Sequence, residues 1–320
     1  MAAMRAVELK PITPTSAALA LLCAALWGGT AAAVRYTQDV MPPLATAGFR
    51  FGLASLVIAG WCWYEGAPLA IRRGQWGAVV GVGLLLFLQI GLFHAGLTRT
   101  SSAHGSVLIG SNSVFIALLA HFLLPGDRLT WSKSLGLIFA TAGLVTVFAG
   151  KLWSPHQSHP EHADTVTLLG DLMLLTSSVV LASKTVYTKN WLDRIEPATL
   201  ILYSGLLASG LFLLTSAAVE GVDNYRLNAQ ATAGLAYQSF VVAGFCFVCY
   251  TTLLRRHRAS EIAVFTFLQP LFGIVIGWLM RGDHLTPWLL VGGLAVAIGV
   301  LLVTRGSAKT VRVVPDEVKT

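Results

Sequence analysis

Two charged side chains stand where charge is costly. Arg50 and Lys184 fall inside long apolar runs, and an ionisable group in such a run faces a bundle interior or water. Lys184 precedes Lys189 by five residues, about 8 Å along a helix. Its stem can snorkel to the boundary, or its ammonium can draw a carboxylate or phosphate into a cavity. Arg50, roughly two turns from the end of its run, is read as holding helix-end carbonyls or another helix. Four amides share these apolar surroundings: Gln89, Asn112, Gln238 and Gln269. Each can bind a solute or join two helices. Trp27, beside Gly28 in mid-run, offers either a wall for stacking or core packing. Pro270 is the proline far from any run end; it removes one backbone hydrogen bond and frees a carbonyl near Thr266. These residues suit the passage of a solute, with Trp27, Gln89, Asn112, Lys184, Gln238 and Gln269 as the path and Pro270 as the hinge.

Bond-breaking chemistry is not written here. No HExxH, GxSxG or Walker A motif occurs, so neither a zinc peptidase, a serine hydrolase nor an ATP motor is indicated. Cys246-x-x-Cys249 has no second pair and no nearby His, and reads as polarizable packing. His156, His159 and His162, with Glu161 and Asp164, have spacing compatible with a transition metal, but a solvated polar loop is the plainer reading. No catalytic group, metal or cofactor is expected. No Asp or Glu is central in an apolar run; Asp171 and Glu261 come nearest. His94, His104 and His121 lie toward run ends, so a proton relay is weakly supported.

The elements that position these residues follow from composition. Of 320 residues, 55% are hydrophobic and 12% charged, against about 25% charged in soluble domains. Mean hydropathy is +0.70. Ten runs are long enough to cross a bilayer: 16–36, 42–64, 76–97, 101–124, 131–149, 166–189, 197–219, 230–254, 259–280 and 286–304. The expected class is an all-α polytopic membrane protein with ten transmembrane helices. The first run exceeds a signal-peptide core in length and is read as retained. With the N-terminus inside, fifteen of the 22 Lys and Arg fall on inner segments, five on outer ones, and two are Arg50 and Lys184. That bias places both termini in the cytoplasm. It also assigns the net charge of +7 to topology and lipid headgroups rather than nucleic acid.

Gly126-Asp127-Arg128-Leu129-Thr130 returns as Gly282-Asp283-His284-Leu285-Thr286, and the same offset of 156 pairs Arg99 with Arg255, Gly136 with Gly292 and Gly143 with Gly299. The chain thus reads as two five-span halves, 1–150 and 166–305, with a cytoplasmic tail at 306–320. Five is odd, so the second half is inverted, the recurrent architecture of secondary transporters. A 5+5 inverted repeat of this kind resembles the EamA family of the drug/metabolite transporter superfamily. The carrying residues are Trp27-Gly28, Pro43 followed by Arg50, and two stretches of the form P-x-F…G-[ED]-x-L-T. Here they read Val114-x-Ile116…Gly126-Asp127-Arg128-Leu129-Thr130 and Pro270-x-Phe272…Gly282-Asp283-His284-Leu285-Thr286. Val114 replaces the family proline, so the helix break is expected in the second half alone. The resemblance implies movement of small metabolites, often amino acids, without ATP hydrolysis. Amino-acid export is the first expectation and another organic solute, such as an organic anion or nucleotide-derived metabolite, the second. A membrane-embedded enzyme or channel is a distant third. The setting is a lipid bilayer, most simply a bacterial plasma (inner) membrane. Gly48/Gly52, Gly77/Gly81 and Gly273/Gly277 have GxxxG spacing. With the Gly136 and Gly292 helices they suit packing within one chain or a homodimer. Tyr187 and Tyr250, nearer the inner ends, are expected as interfacial anchors.

Overall fold

Prolines start several of the long helices, because a first-turn residue needs no N–H. Among them are α1 (Pro14–Gly28), α3 (Pro43–Glu65) and α9 (Pro197–Val219). The computed structural model describes residues 12–124, 127, 129–153, 167–266, 268–282 and 287–308. The remaining helices are α2 (Thr30–Gln38), α4 (Trp76–Leu97), α5 (Ser102–Gly110), α6 (Asn112–Leu123), α7 (Trp131–Trp153), α8 (Leu168–Lys189), α10 (Ala229–Ala236), α11 (Phe247–Arg256), α12 (Ala259–Thr266), α13 (Gln269–Arg281) and α14 (Pro287–Ala308). A π-helix, Tyr237–Cys246, joins α10 to α11. The described residues contain no strand.

Seven stretches among the described residues are long and apolar enough to cross a membrane. They are Pro14–Gln38, Pro43–Glu65, Arg73–Leu97, His104–Leu123, Leu168–Lys189, Pro197–Val219 and Ala229–Arg256. Gln269–Met280 is apolar but shorter. The other expected spans fall on α7, on α12 with α13, and on α14. Large apolar side chains such as Leu84, Leu88, Leu214 and Val219 point outward. That inverts the soluble pattern and suits a lipid surround. The loop histidines 156, 159 and 162 with Glu161 and Asp164, the tail 309–320, Gly126, Arg128 and the Asp283–Thr286 stretch lie outside the described residues.

Two pairs of equivalent helices pack across the halves, α3 with α9 and α7 with α14, and the first pair runs antiparallel. The start of α3 meets the end of α9: Leu44 and Ala45 N–H donate to the Glu220 carboxylate at 2.9 and 3.0 Å, and Ser209 Oγ donates to Gly48 O at 2.8 Å. Glu220 thus supplies the cap that Pro42 cannot. On α7 and α14 the backbones touch, since a Cβ on Gly299 would sit 2.6 Å from Gly136 O. That small-residue seam is an intrachain contact. At least one glycine of each GxxxG pair serves helix packing, Gly52 against Ser209, Gly81 against Tyr187 and Gly273 against Ser106, whereas Gly77 has open space beside it.

The break expected in the second half alone is present in both. The first half is interrupted at Ser111, between α5 and α6, without a proline. Ser111 Oγ donates to Leu108 O at 2.7 Å and Asn112 Nδ2 to Ile109 O at 2.6 Å. Polar side chains thereby take up the carbonyls a break leaves open. Pro270 is not a mid-helix kink either: it sits in the first turn of α13, where its missing N–H costs nothing.

Candidate functional site

Three interruptions meet in the middle of the bundle. The first span breaks at Gly28-Gly29, and Tyr237 Oη donates to Leu26 O at 2.5 Å. A Cβ on Gly28 would lie 2.5 Å from Phe272 Cβ, and one on Gly110 would overlap Pro270 Cγ. The ends of α5 and α13 therefore abut. Ser113 and Thr266 hydroxyls join the same two breaks at 2.6 Å.

Beside them lies a cavity of about 1080 Å³, including its open mouth. Helical stripes line it. From α8 come Leu181, Lys184, Thr185 and Thr188; from α11, Phe247, Tyr250, Thr251 and Leu254. Each set has the spacing i, i+3, i+4, i+7. From α4 come Val82, Leu86, Gln89, Ile90 and Phe93. Trp27, Thr30, Arg50, Asn112, Thr266 and Gln269 add polar and aromatic groups to the wall. None of these lining residues is Asp or Glu.

The aromatic groups touch in series. Trp27 meets Tyr250 edge-on at 5.0 Å between centroids and Phe247 at 6.1 Å. Lys184 Nζ stands 5.0 Å over the Phe247 ring. Arg50 Cζ lies 5.4 Å from the Phe51 centroid, and Phe51 packs on Phe247 at 5.9 Å. Arg50 is only 2% exposed, and its Nε and Nη1 have no partner among the described residues. The expected helix-end carbonyls do not meet those two atoms.

Of the sequence candidates, Trp27, Gln89, Asn112, Lys184 and Gln269 stand together on this cavity. Gln89 Nε2 donates to Ser177 Oγ at 3.1 Å, and its Oε1 is unpartnered among the described residues. Gln238 is elsewhere: buried in the π-helix, its Nε2 donates to Thr37 Oγ1 at 3.0 Å. Pro270 packs behind the wall on Gly110. Tyr250, expected at the membrane interface, faces the cavity instead, while Tyr187 packs on Gly81 and donates to Gly77 O at 3.2 Å. Phe247 escaped notice in the sequence; the i, i+3, i+4, i+7 spacing in α8 and α11 was its available signal. Cys23, Cys246 and Cys249 are free thiols packed in one cluster. Among the described residues no group of three or more His, Cys, Asp or Glu is placed to hold a metal.

One end of the bundle is tied within the second half and, through Asp127, across to the first. Lys189 Nζ donates to the carbonyls of Leu254, Arg255 and His257, a cation at the C-terminus of α11. Arg255 pairs with Glu196. Asp127, 3% exposed, accepts from Ser260 N at 3.0 Å, from Ser260 Oγ, and from Lys133 Nζ at 3.4 Å. The repeated Asp thus caps α12 of the other half. Lys133 and Ser260 carried no signal in the sequence.

The comparisons agree with this architecture. The EamA-like transporter family matches residues 15–149 and again 168–305. A "Probable amino-acid metabolite efflux pump" of Salmonella typhimurium is 23% identical over 292 residues, covering 89% of this chain and 93% of that protein. An "S-adenosylmethionine/S-adenosylhomocysteine transporter" of Chlamydia trachomatis is 25% identical over 296 residues, covering 90% and 88%. "Uncharacterized transporter YoaV" of Bacillus subtilis is 22% identical over 280 residues, covering 87% and 93%. A solved crystal structure superposes with a TM-score of 0.71 at 16% identity, covering 91% of this chain and 98% of that one, and shares the fold. The seven apolar stretches make this an integral membrane protein. With both halves matched, the chain belongs to the EamA-like transporter family.

Proposed function

We propose that the protein is a secondary transporter of small metabolites that works by alternating access without ATP. In this reading ten helices cross a bacterial plasma membrane in a 5+5 inverted repeat, and the face bearing Lys189 and Arg255 is cytoplasmic. The observation that carries it is the cavity at the junction of interrupted helices from both halves. Inverted-repeat carriers bind cargo at such discontinuous helices. Trp27, Gln89, Asn112, Lys184 and Gln269 form the path, and the paired breaks at Ser111 and before Gln269 are the compliant points, with Pro270 fixing the second.

Amino acids and related metabolites come first as cargo, supported by the names borne by the Salmonella and Chlamydia relatives. Export is the expected direction. A second reading, another organic solute such as an organic anion, is favoured by Arg50 and Lys184 facing a cavity without lining carboxylates. A resistance screen of cells overproducing the protein, followed by flux of the selected metabolites into proteoliposomes, tests the function. Saturable ATP-independent flux is expected, and its absence across the selected metabolites would overturn it. Since no carboxylate lines the path, flux should not be driven by a pH gradient; accumulation against a concentration difference on imposing one would refute that.

A further inference from the structure

Within the transport reading, on which this inference rests, we propose that Arg50 and Lys184 favour the second cargo reading over the first: they make the cavity selective for cargo of net negative charge with an apolar, aryl-sized body, and against zwitterions such as free amino acids.

Two cations share one mostly apolar cavity. Arg50 is almost fully buried, with Nε and Nη1 unpartnered among the described residues. Lys184 rests on the face of Phe247. Neither is joined to a carboxylate in an ion pair among the described residues, unlike Lys133 with Asp127, Arg255 with Glu196 and Arg258 with Glu261. A buried charge without an anion is expensive, and a buried guanidinium is retained where a partner arrives. The groups already on the wall cannot be that partner, because none is acidic. A bound carboxylate would satisfy the guanidinium fork, which suits planar anions. An amino acid brings the same carboxylate but adds an ammonium. That ammonium would meet two like charges and no carboxylate, which works against binding. The body of the cargo is set by Trp27, Phe247 and Tyr250, with Trp27 in edge contact with the other two, and by Val82, Leu86 and Ile90. These surfaces offer rings and alkyl groups to a flat apolar portion.

A matched set of probes isolates the ammonium: phenylpropionate, L-phenylalanine, and phenethylamine, which share one ring and differ in charge. Purified full-length protein in detergent is melted with each at millimolar concentration, and affinity is taken from the titrated shift. Phenylpropionate should raise the melting temperature, and the other two should bind at least about tenfold more weakly. Arg50→Met should lose about tenfold or more in phenylpropionate affinity, yet melt higher without ligand, since an uncompensated buried charge has gone. Lys184→Met should lose affinity and Lys184→Arg should keep it. A purely structural Arg50 would give the opposite sign: a lower melting temperature without ligand and unchanged affinity. That result, or phenylalanine binding as tightly as phenylpropionate, overturns the inference. So does the absence of any phenylpropionate shift in folded protein. If proteoliposomes then still carry phenylalanine, charge selection fails and the transport reading stands; if no metabolite is carried at all, the transport reading fails on its own.

Discussion

Gly110 has no room for a methyl group. A Cβ at this position would overlap Pro270 Cγ, and a pyrrolidine ring cannot swing aside as a long side chain can. Gly110→Ala should therefore cost about 1–3 kcal/mol, read as a lower melting temperature, and should reduce flux by separating α5 from α13. Gly60 in α3 has nothing within 4 Å of where its Cβ would stand, so Gly60→Ala should be neutral or stabilise by up to about 1 kcal/mol. Equal melting of the two variants would contradict the close approach at the breaks. A second residue-scale prediction concerns Asp127. Asp127→Ala strips the anion from Lys133, which is 3% exposed. The expected cost is about 3–5 kcal/mol, and adding Lys133→Met should recover part of it. A double variant that melts no higher than Asp127→Ala would show that the ion pair is not what holds Asp127 there.

At the scale of elements, the interruption between α5 and α6 is held from outside as well as within. Ser178 Oγ of α8 donates to Leu108 O at 2.7 Å, the carbonyl that also accepts from Ser111 Oγ. Removing one such donor costs about 1 kcal/mol. Asn112→Ala should thus lower stability modestly, yet lower flux several-fold, because Asn112 both satisfies Ile109 O and lines the cavity. Flux unchanged beside a lowered melting temperature would make Asn112 a purely structural group. The π-helix has a matching role on the other side. It leads directly into α11, whose Phe247, Tyr250, Thr251 and Leu254 lie on one wall.

For the whole molecule, the seams between α3 and α9 and between α7 and α14 mean that rocking of one half is felt by the other. Ala120 of α6 and Ala263 of α12 pack in one cluster near the Asp127 tie. In a chain lacking its native cysteines, Ala120→Cys with Ala263→Cys and a thiol cross-linker should stop flux, and a reducible linker should restore it on reduction. Undiminished flux in fully cross-linked protein would remove the case for alternating access. The apolar helices were legible in the sequence because hydropathy over a span's length is a local quantity. The repeated Asp127 motif and the α7–α14 glycines also announced the two repeats.

What stayed hidden was which polar groups would be satisfied. Ser111 and Val114 read as an unbroken helix because the donors that permit a break include Ser178, 67 residues beyond Ser111. Arg50 read as a partner for helix ends, and only packing around Phe51 and Phe247 leaves its Nε and Nη1 bare beside the cavity. Gln89 and Gln238 were equal as mid-span amides, yet one lines the cavity and the other is bound to Thr37. The sequence by itself determined a membrane-embedded, all-helical chain of two repeats, since hydropathy acts on each segment separately and a repeated motif is visible along the chain. Only the tertiary structure decided where carbonyls are left open, which charges lack an anion, and which aromatic faces meet, because each of those depends on atoms from helices far apart in the chain.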